Sequence, residues 1–229
     1  MLPIKDNVPT KSFPIVTVAL IGINVAVWLF YELPNLDHAV MQLAYQPCEV
    51  NNSCRVVGQD WEVTAFTSMF LHGDWLHIGG NMLFLWIFGN NVEDSMGKVR
   101  YVVFYLLGGF AATALQTVIT LELGTAAEAR IPNLGASGAI SAVLGAYLVL
   151  LPRASVVTVI FLFFIIIREF PAWLFLGFWF LLQLWSGGFS LLQPEQGGGV
   201  AFFAHVGGFV FGLAAALLFA KRRPLQPAY

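Results

Sequence analysis

The stretch VAFFAHVGGFVFGLAAALLFA, residues 200–220, runs for 21 residues without an Asp, Glu, Lys or Arg. A helix needs about 20 mostly apolar residues to cross the roughly 30 Å hydrocarbon core of a bilayer. The stretch is therefore long enough to form one transmembrane helix. Lys221-Arg222-Arg223 follows it directly, and such a basic cluster is typical of the cytoplasmic end of a span.

The whole chain has the same apolar character. Of its 229 residues, 58% are hydrophobic and 10% are charged, whereas a soluble domain carries about 25% charged residues. Eleven basic and 13 acidic side chains cannot coat a soluble globule of this size. The net charge of −2 also leaves no basic surface for nucleic acid. The composition predicts a polytopic membrane protein.

Five further runs resemble the first in length or composition, which predicts six transmembrane helices in an all-α fold. The fourth and fifth are short and would need favourable packing or a thinned bilayer. The six predicted runs are Phe13–Leu33, Phe66–Asn90, Tyr101–Leu121, Gly135–Leu151, Pro171–Trp185 and Val200–Ala220.

The basic residues predict the orientation of these helices. With six crossings and a cytoplasmic N-terminus, only Arg55 and Arg130 fall on the outer side. Such an excess of basic residues on one side is the positive-inside pattern. Nine lie on the inner side: Lys5, Lys11, Lys98, Arg100, Arg153, Arg168, Lys221, Arg222 and Arg223.

The segment 152–170 does not fit a simple crossing. Ser155–Ile167 is apolar, but 13 residues make only about 20 Å of helix. Because Arg168-Glu169 and then Pro171 interrupt it, we expect an interfacial or re-entrant segment on the inner side, with Pro171 in the first turn of the fifth helix. Arg168 and Glu169 are interpreted as a pair at the inner boundary rather than a functional buried pair.

The longest outer loop, residues 34–65, contains both cysteines. Cys48 and Cys54 could form a small disulfide loop in an oxidising compartment. Two free thiols are an equal alternative, whereas a metal site is disfavoured because no histidine lies nearby.

Ser137 is a candidate nucleophile at the outer start of the fourth run. A serine in the first turn of a helix lies beside unpaired backbone N–H groups and the positive end of the helix dipole. Those donors could stabilise an oxyanion. Taken alone, Ser137 would be interpreted as a helix cap or a small packing residue, because serine is common at helix starts.

His205 is the candidate general base. The fourth and sixth runs both enter from the outer side, so Ser137 and His205 reach similar depths. Gly208 and Gly212 form a G-x-x-x-G pattern that allows helices to approach closely. Such an approach could bring serine and imidazole within hydrogen-bond distance, about 2.6–3.2 Å.

On the second run, His77 and Asn81 are four residues apart and share a helix face. They could donate to an oxyanion or simply join two helices by hydrogen bonds. His72 is five residues before His77, about 140° around a helix, so the two histidines do not form a zinc-binding face.

The motifs together resemble the rhomboid intramembrane serine proteases. The pattern H-x4-H-x3-N is followed by G-x-S-G and then by A-H-x2-G-x3-G, in the family's order and across residues 64–212. The matching strings are His72-Gly73-Asp74-Trp75-Leu76-His77 with Asn81, Gly135-Ala136-Ser137-Gly138, and Ala204-His205-Val206-Gly207-Gly208 with Gly212; Gly89 and Glu93 fit the family's G-x3-E.

The resemblance implies a six-transmembrane-helix bundle formed by one membrane domain over residues 1–229, with a water-accessible Ser-His dyad. It implies that Ser137 is the nucleophile and His205 the general base and acid. His77, Asn81 and the Ser137 backbone N–H would bind the oxyanion, and His72 would support the neighbouring loop. No cofactor or metal is implied.

Two positions depart from the family pattern. Many rhomboids have an arginine where this chain has Thr64, and an aromatic residue that packs on the histidine where it has Ser141. Both departures bear on loop rigidity and on the orientation of His205, and neither removes a reacting group.

The expected function is cleavage of single-pass membrane proteins in the bilayer, in a prokaryotic plasma membrane with both termini cytoplasmic. The alternative is a non-catalytic rhomboid-like protein that binds transmembrane helices for quality control. The near absence of carboxylates in the apolar runs disfavours a transporter.

Overall fold

A computed structural model describes residues 2–55, 57–161, 165–192 and 201–221. The described chain is mostly helical, with π-helical turns at Trp28–Glu32 and Leu85–Gly89. The ten α-helices are α1 Ile15–Val27, α2 Leu36–Leu43, α3 Pro47–Val50, α4 Trp61–Thr67, α5 Trp75–Phe84, α6 Asn90–Met96, α7 Lys98–Leu123, α8 Ser137–Leu150, α9 Ala172–Leu192 and α10 Phe202–Phe219. The three strands are β1 Leu2–Asp6, β2 Ser155–Phe161 and β3 Ile165–Pro171.

The chain is a multi-pass membrane protein. Within the described ranges, four helical stretches are long and apolar enough to cross a bilayer: Ile15–Glu32, Lys98–Leu123, Ala172–Leu191 and Phe202–Phe219. The fifth predicted run is not short, because α9 has 21 residues. The fourth is short as predicted, since the 14 residues of α8 span about 21 Å. Val200, Arg222 and Arg223, which the sequence predictions include, lie outside the described residues.

The second predicted run begins too early. Residues 68–70 form a 3₁₀ turn, and α5 starts only at Trp75. Asp74 caps this helix by accepting a hydrogen bond from the His77 backbone N–H at 2.8 Å. The helix therefore begins at Trp75 rather than at Phe66, because the Asp74 cap satisfies an unpaired N–H group of its first turn. From α5 it continues through the π-helical turn into α6.

The prediction of an all-α fold is wrong for the segments that form β1, β2 and β3. The strands β2 and β3 pair antiparallel, and β1 pairs with β2 to give the sheet order β1-β2-β3. Both β2 and β3 contain several Val, Ile or Thr residues, and such β-branched residues favour strands over helix. The strands of this segment replace the short helix that was expected, and its location on the inner side stays a prediction. Arg168 and Glu169 are exposed neighbours on the edge strand β3.

Buried polar contacts join the inner ends of the helices. The Glu93 carboxylate on α6 accepts hydrogen bonds from the backbone N–H groups of Val16 and Thr17 at 3.0 and 2.8 Å, and from the Thr17 hydroxyl. It therefore caps α1 rather than being a solvated loop charge. Asp6 of β1 accepts from the Asn91 side chain at 2.7 Å, and burial raises the pKa of Asp6. These bonds attach α1 and the sheet to α6.

Helices α8 and α10 pack with their backbones in close contact. A Cβ atom added to Gly208 would overlap the carbonyl oxygen of Gly138, and one added to Gly212 would overlap that of Ala142. Gly145 approaches the backbone of α10 in the same way. The small residues therefore permit a helix separation that larger side chains would prevent.

The outer loop is ordered by three short helices and a disulfide between Cys48 and Cys54, which resolves the alternatives left by the sequence. The backbones of Tyr45 and Asn133 exchange hydrogen bonds of 3.1 and 2.7 Å. The Tyr45 hydroxyl also lies 2.7 Å from the Thr117 hydroxyl on α7. The loop is thus attached to the segment that leads into α8.

Candidate active site

Ser137 is the first residue of α8, as the sequence predicts. The chain reaches it through Gly135, whose φ of +128° is a conformation that other residues rarely adopt. The Gly135 N–H donates to the Ser68 carbonyl at 2.9 Å and so holds this turn in place. The N–H groups of the first turn of a helix have no intrahelical acceptor, and Ser137 lies in this turn of α8.

Ser137 and His205 are in direct contact. The Ser137 Oγ lies 2.8 Å from the His205 Nε2, although the two residues are 68 positions apart in the chain. This distance follows from the close packing of α8 on α10 at Gly208 and Gly212. At 2.8 Å, the hydroxyl can donate its proton to an unprotonated Nε2.

Helix α9 contributes two residues that the sequence analysis missed. The His205 Nδ1 lies 2.8 Å from the Gln183 Oε1, and the indole of Trp179 lies beside the imidazole with ring centroids 6.0 Å apart. Both residues are on one face of α9, one helical turn apart. A signal was present, since Gln183 is a polar residue in an otherwise apolar run.

His77 faces the same site with a free donor. Its Nδ1 accepts a hydrogen bond from the Gly73 backbone N–H at 3.3 Å. In neutral imidazole only one nitrogen carries hydrogen, so the proton is on Nε2. Gly135 lies close to both side chains: a Cβ atom added to this glycine would lie 2.7 Å from the His77 Nε2 and 3.4 Å from the Ser137 Oγ. The His77 N–H therefore lies near the serine and is available to a ligand.

Asn81 supplies a second available donor. Asn81 is buried, and its Nδ2 has no hydrogen-bond partner among the described residues. A buried amide without a partner costs free energy, so such a group suits an acceptor that binds only during the reaction. Asn81 lines the same cavity as Ser137.

His72 lies behind the site and does not line the cavity. Its ring is fully buried and contacts the His77 ring edge-on, with centroids 5.0 Å apart. Its backbone N–H donates to the buried Glu32 carboxylate at 2.6 Å. His72 therefore links the end of the first span to the histidine that faces the site.

A cavity of about 700 Å³ joins these groups. Ser137, His205, His77, Asn81, Trp179 and Gln183 all line it, together with Asp74 and Asn133 from the outer loops. Its walls are mostly apolar, with a few polar groups near Ser137, and such a lining is typical of sites that bind an apolar ligand and orient one polar group.

The two departures from the family pattern have visible structural consequences. The Ser141 hydroxyl donates to the Ser137 carbonyl at 2.6 Å, and the aromatic contact to His205 comes from Trp179 on α9 instead. Thr64 is buried and its hydroxyl donates a hydrogen bond to the Trp61 carbonyl at 3.3 Å.

Across the described residues, no group of three or more His, Cys, Asp or Glu side chains is arranged to hold a metal ion.

Sequence comparison matches residues 58–222 to the Rhomboid domain. The chain is 31% identical over 146 residues to "Rhomboid protein 1, mitochondrial" of Saccharomyces cerevisiae, covering 62% of this chain and 38% of the yeast protein. It is 27% identical over 138 residues to "Putative rhomboid protease YdcA" of Bacillus subtilis, covering 60% of this chain and 63% of YdcA. It is 26% identical over 134 residues to "Presenilin-associated rhomboid-like protein, mitochondrial" of Bos taurus, covering 58% of this chain and 32% of that relative. The chain thus spans less than two thirds of each of these relatives.

Proposed function

The chain belongs to the rhomboid family, and from this premise we propose that it is an intramembrane serine endopeptidase with a Ser137–His205 dyad. The observation that carries the proposal is the 2.8 Å contact between the Ser137 Oγ and the His205 Nε2. A serine is a weak nucleophile until a base within hydrogen-bond distance can take its proton.

The reaction proceeds in two stages. The Ser137 Oγ attacks the substrate carbonyl carbon while its proton moves to the His205 Nε2. The imidazolium then gives this proton to the leaving amine, the peptide C–N bond breaks, and an acyl ester remains on Ser137. Water, deprotonated by the same nitrogen, hydrolyses the ester and restores the serine.

The donors around Ser137 stabilise the oxyanion that each stage creates. The candidates are the His77 Nε2–H, the Asn81 amide and the backbone N–H groups of the first turn of α8. Among these donors, Asn81 has the clearest support, because its Nδ2 has no hydrogen-bond partner among the described residues.

Substitution of Asn81 by alanine removes this donor. If Asn81 is a principal donor, kcat should fall roughly 10²–10³-fold. The measurement is the cleavage rate of a saturating substrate, with thermal unfolding in detergent as the control for folding. An unchanged kcat would reduce Asn81 to a packing residue.

The proposed substrates are single-pass membrane proteins whose transmembrane helix unwinds easily near the outer surface. An intact helix hides its carbonyl groups in hydrogen bonds, so cleavage requires local unwinding. The mostly apolar cavity suits such a segment.

The proposed topology has six crossings: α1, α5 with α6, α7, α8, α9 and α10, with both termini cytoplasmic. Residues 64–212 form the catalytic part of a single domain over 1–229. The basic residues on the inner side support this orientation, and the Cys48–Cys54 disulfide supports an oxidising environment for the outer loop.

A location in a prokaryotic plasma membrane stays a prediction from the sequence analysis. Of the three relatives described, YdcA comes from a bacterium and the other two are mitochondrial by name. Fractionation of the source cells tests this location. Recovery with an organelle membrane would overturn it.

The test of the proposed activity compares the wild type with Ser137→Ala and His205→Ala on a panel of single-pass substrates in detergent. The wild type should cut and both variants should be inert. Ser95→Ala, which changes a buried serine on α6, and His38→Ala, which changes an exposed histidine on α2, are matched controls that should cut normally. A wild type that binds these substrates without cutting any would favour the non-catalytic alternative.

A further inference from the structure

The imidazole of His205 has two nitrogens, and only one arrangement of its proton allows catalysis. In the neutral ring one nitrogen donates and the other accepts. The Nε2 faces the Ser137 hydroxyl at 2.8 Å and must accept its proton, so the hydrogen of the resting ring must be on Nδ1. Some group has to hold the ring in that tautomer, because the two tautomers of a free imidazole interconvert.

We propose that Gln183 is a positioning residue whose side-chain carbonyl selects the Nδ1–H tautomer of His205. The Gln183 Oε1 lies 2.8 Å from the Nδ1. A carbonyl oxygen can only accept a hydrogen bond, so this contact requires a hydrogen on Nδ1 and leaves the Nε2 lone pair facing Ser137. The inference rests on the proposed function, since only a base needs this tautomer.

The other neighbours of His205 cannot supply this acceptor. Trp179 packs beside the ring, and its indole N–H is a donor only. Ser137 occupies the opposite nitrogen. His77 on α5 is the titratable group that faces His205, and its Nδ1 already accepts from Gly73. Among the described residues, Gln183 is therefore the hydrogen-bond partner of the Nδ1.

A neutral amide suits this position better than the carboxylate found in soluble serine proteases. The cavity is mostly apolar and lies within the spans, where an ionised carboxylate carries a large desolvation cost. The amide oxygen fixes the tautomer without that cost. However, a neutral amide oxygen stabilises the imidazolium formed during the reaction less than a carboxylate would.

The first arm of the test uses Gln183→Leu and Gln183→Glu, with Leu184→Ala as the control on the exposed face of the same helix. Leucine keeps the size of the side chain but removes the acceptor. Its kcat should fall about tenfold, which corresponds to the loss of one hydrogen bond, while KM and the unfolding temperature stay unchanged. Leu184→Ala should match the wild type. A Gln183→Leu variant with wild-type kcat would overturn the proposal.

The glutamate variant separates an accepting side chain from a donating one. A carboxylate accepts but cannot donate, so Gln183→Glu should rescue cleavage at alkaline pH. It should also move the acidic limb of the pH–kcat/KM profile to higher pH, because the carboxylate favours the imidazolium. His77 is unchanged in every variant and cannot cause this difference. A folded Gln183→Glu that is as slow as Gln183→Leu at every pH would mean that the amide donates, and would overturn the proposal.

A second readout does not depend on activity. In ¹⁵N-labelled protein, the histidine nitrogen shifts should report Nδ1–H for His205 in the wild type and a mixture of tautomers in Gln183→Leu. The same mixture in both proteins would contradict the proposal. If the wild type cut no substrate but kept a pure Nδ1–H tautomer that Gln183→Leu lost, the proposed protease function would fail while the positioning role of Gln183 stood.

Discussion

The α8–α10 interface and helix α9 meet at the same histidine but are built in opposite ways. At the interface, Gly208 and Gly212 contact the backbone of α8 so closely that no side chain would fit. On α9, Leu181 and Trp185 are 62% and 76% exposed, and a Cβ added to Gly177 would have no atom of the described residues within 4 Å. Backbone contact therefore fixes the distance between serine and imidazole, whereas a lightly buried helix fixes the orientation of the imidazole.

Among substitutions that test this difference between the two regions, the largest effect is expected from an added methyl group in the tight interface. In Gly212→Ala, the new Cβ would overlap the Ala142 carbonyl and force α10 away from α8. A shift of about 1 Å would lengthen the Ser137–His205 contact, and a misplacement of that size can cost about 10²-fold in kcat. Steady-state cleavage rates in detergent measure this effect. A variant with normal kcat would show that the close backbone contact is not what sets the catalytic distance.

An intermediate effect is expected on the α9 side of the histidine. Trp179→Ala removes the ring beside His205 while leaving the α8–α10 interface intact. Since an aromatic pair contributes about 0.5–1.5 kcal/mol beyond its burial, kcat should fall about 2–12-fold.

Trp179→Phe is the matched control and should keep most of the rate, because it retains a ring at this position. If Trp179→Ala lost as much activity as Gly212→Ala, the contrast between distance and orientation would not hold.

The smallest effect is expected on the open face of α9. Gly177→Ala adds the same methyl group as Gly212→Ala but meets no atom within 4 Å. Its cleavage rate and unfolding temperature should match the wild type within error, or the temperature should rise slightly because alanine favours helix. A tenfold loss would mean that this face contacts something the reaction needs.

Ser137 and His205 could be predicted to meet because both lie in motifs near the starts of two helices that run in the same direction. The sequence predicts Ser137 at a helix start, His205 on the parallel helix and the glycines between them, and the structure brings these together. Local composition and the direction of each crossing pointed to this pair, and the resemblance to the rhomboid proteases supplied the expected role of each residue.

The sheet could not be predicted in the same way. Ser155–Ile167 is apolar throughout and lacks the alternation of a half-buried strand. Its pairing with β1 joins residues about 150 positions apart, which no local pattern specifies. The face of α9 that contacts His205 depends on the rotation of the helix about its axis. The sequence shows that Gln183 is a polar residue in an apolar run, but it does not show that Gln183 and Trp179 contact His205.

The most direct test of the Ser137–His205 pair is labelling with a fluorophosphonate, followed by mass spectrometry of the modified peptide. We expect one label, on Ser137, and at least 10²-fold slower labelling in a folded His205→Ala variant, because the serine then lacks its base. Labelling of Ser137 at the wild-type rate in His205→Ala, or a label on another serine in the wild type, would contradict this expectation.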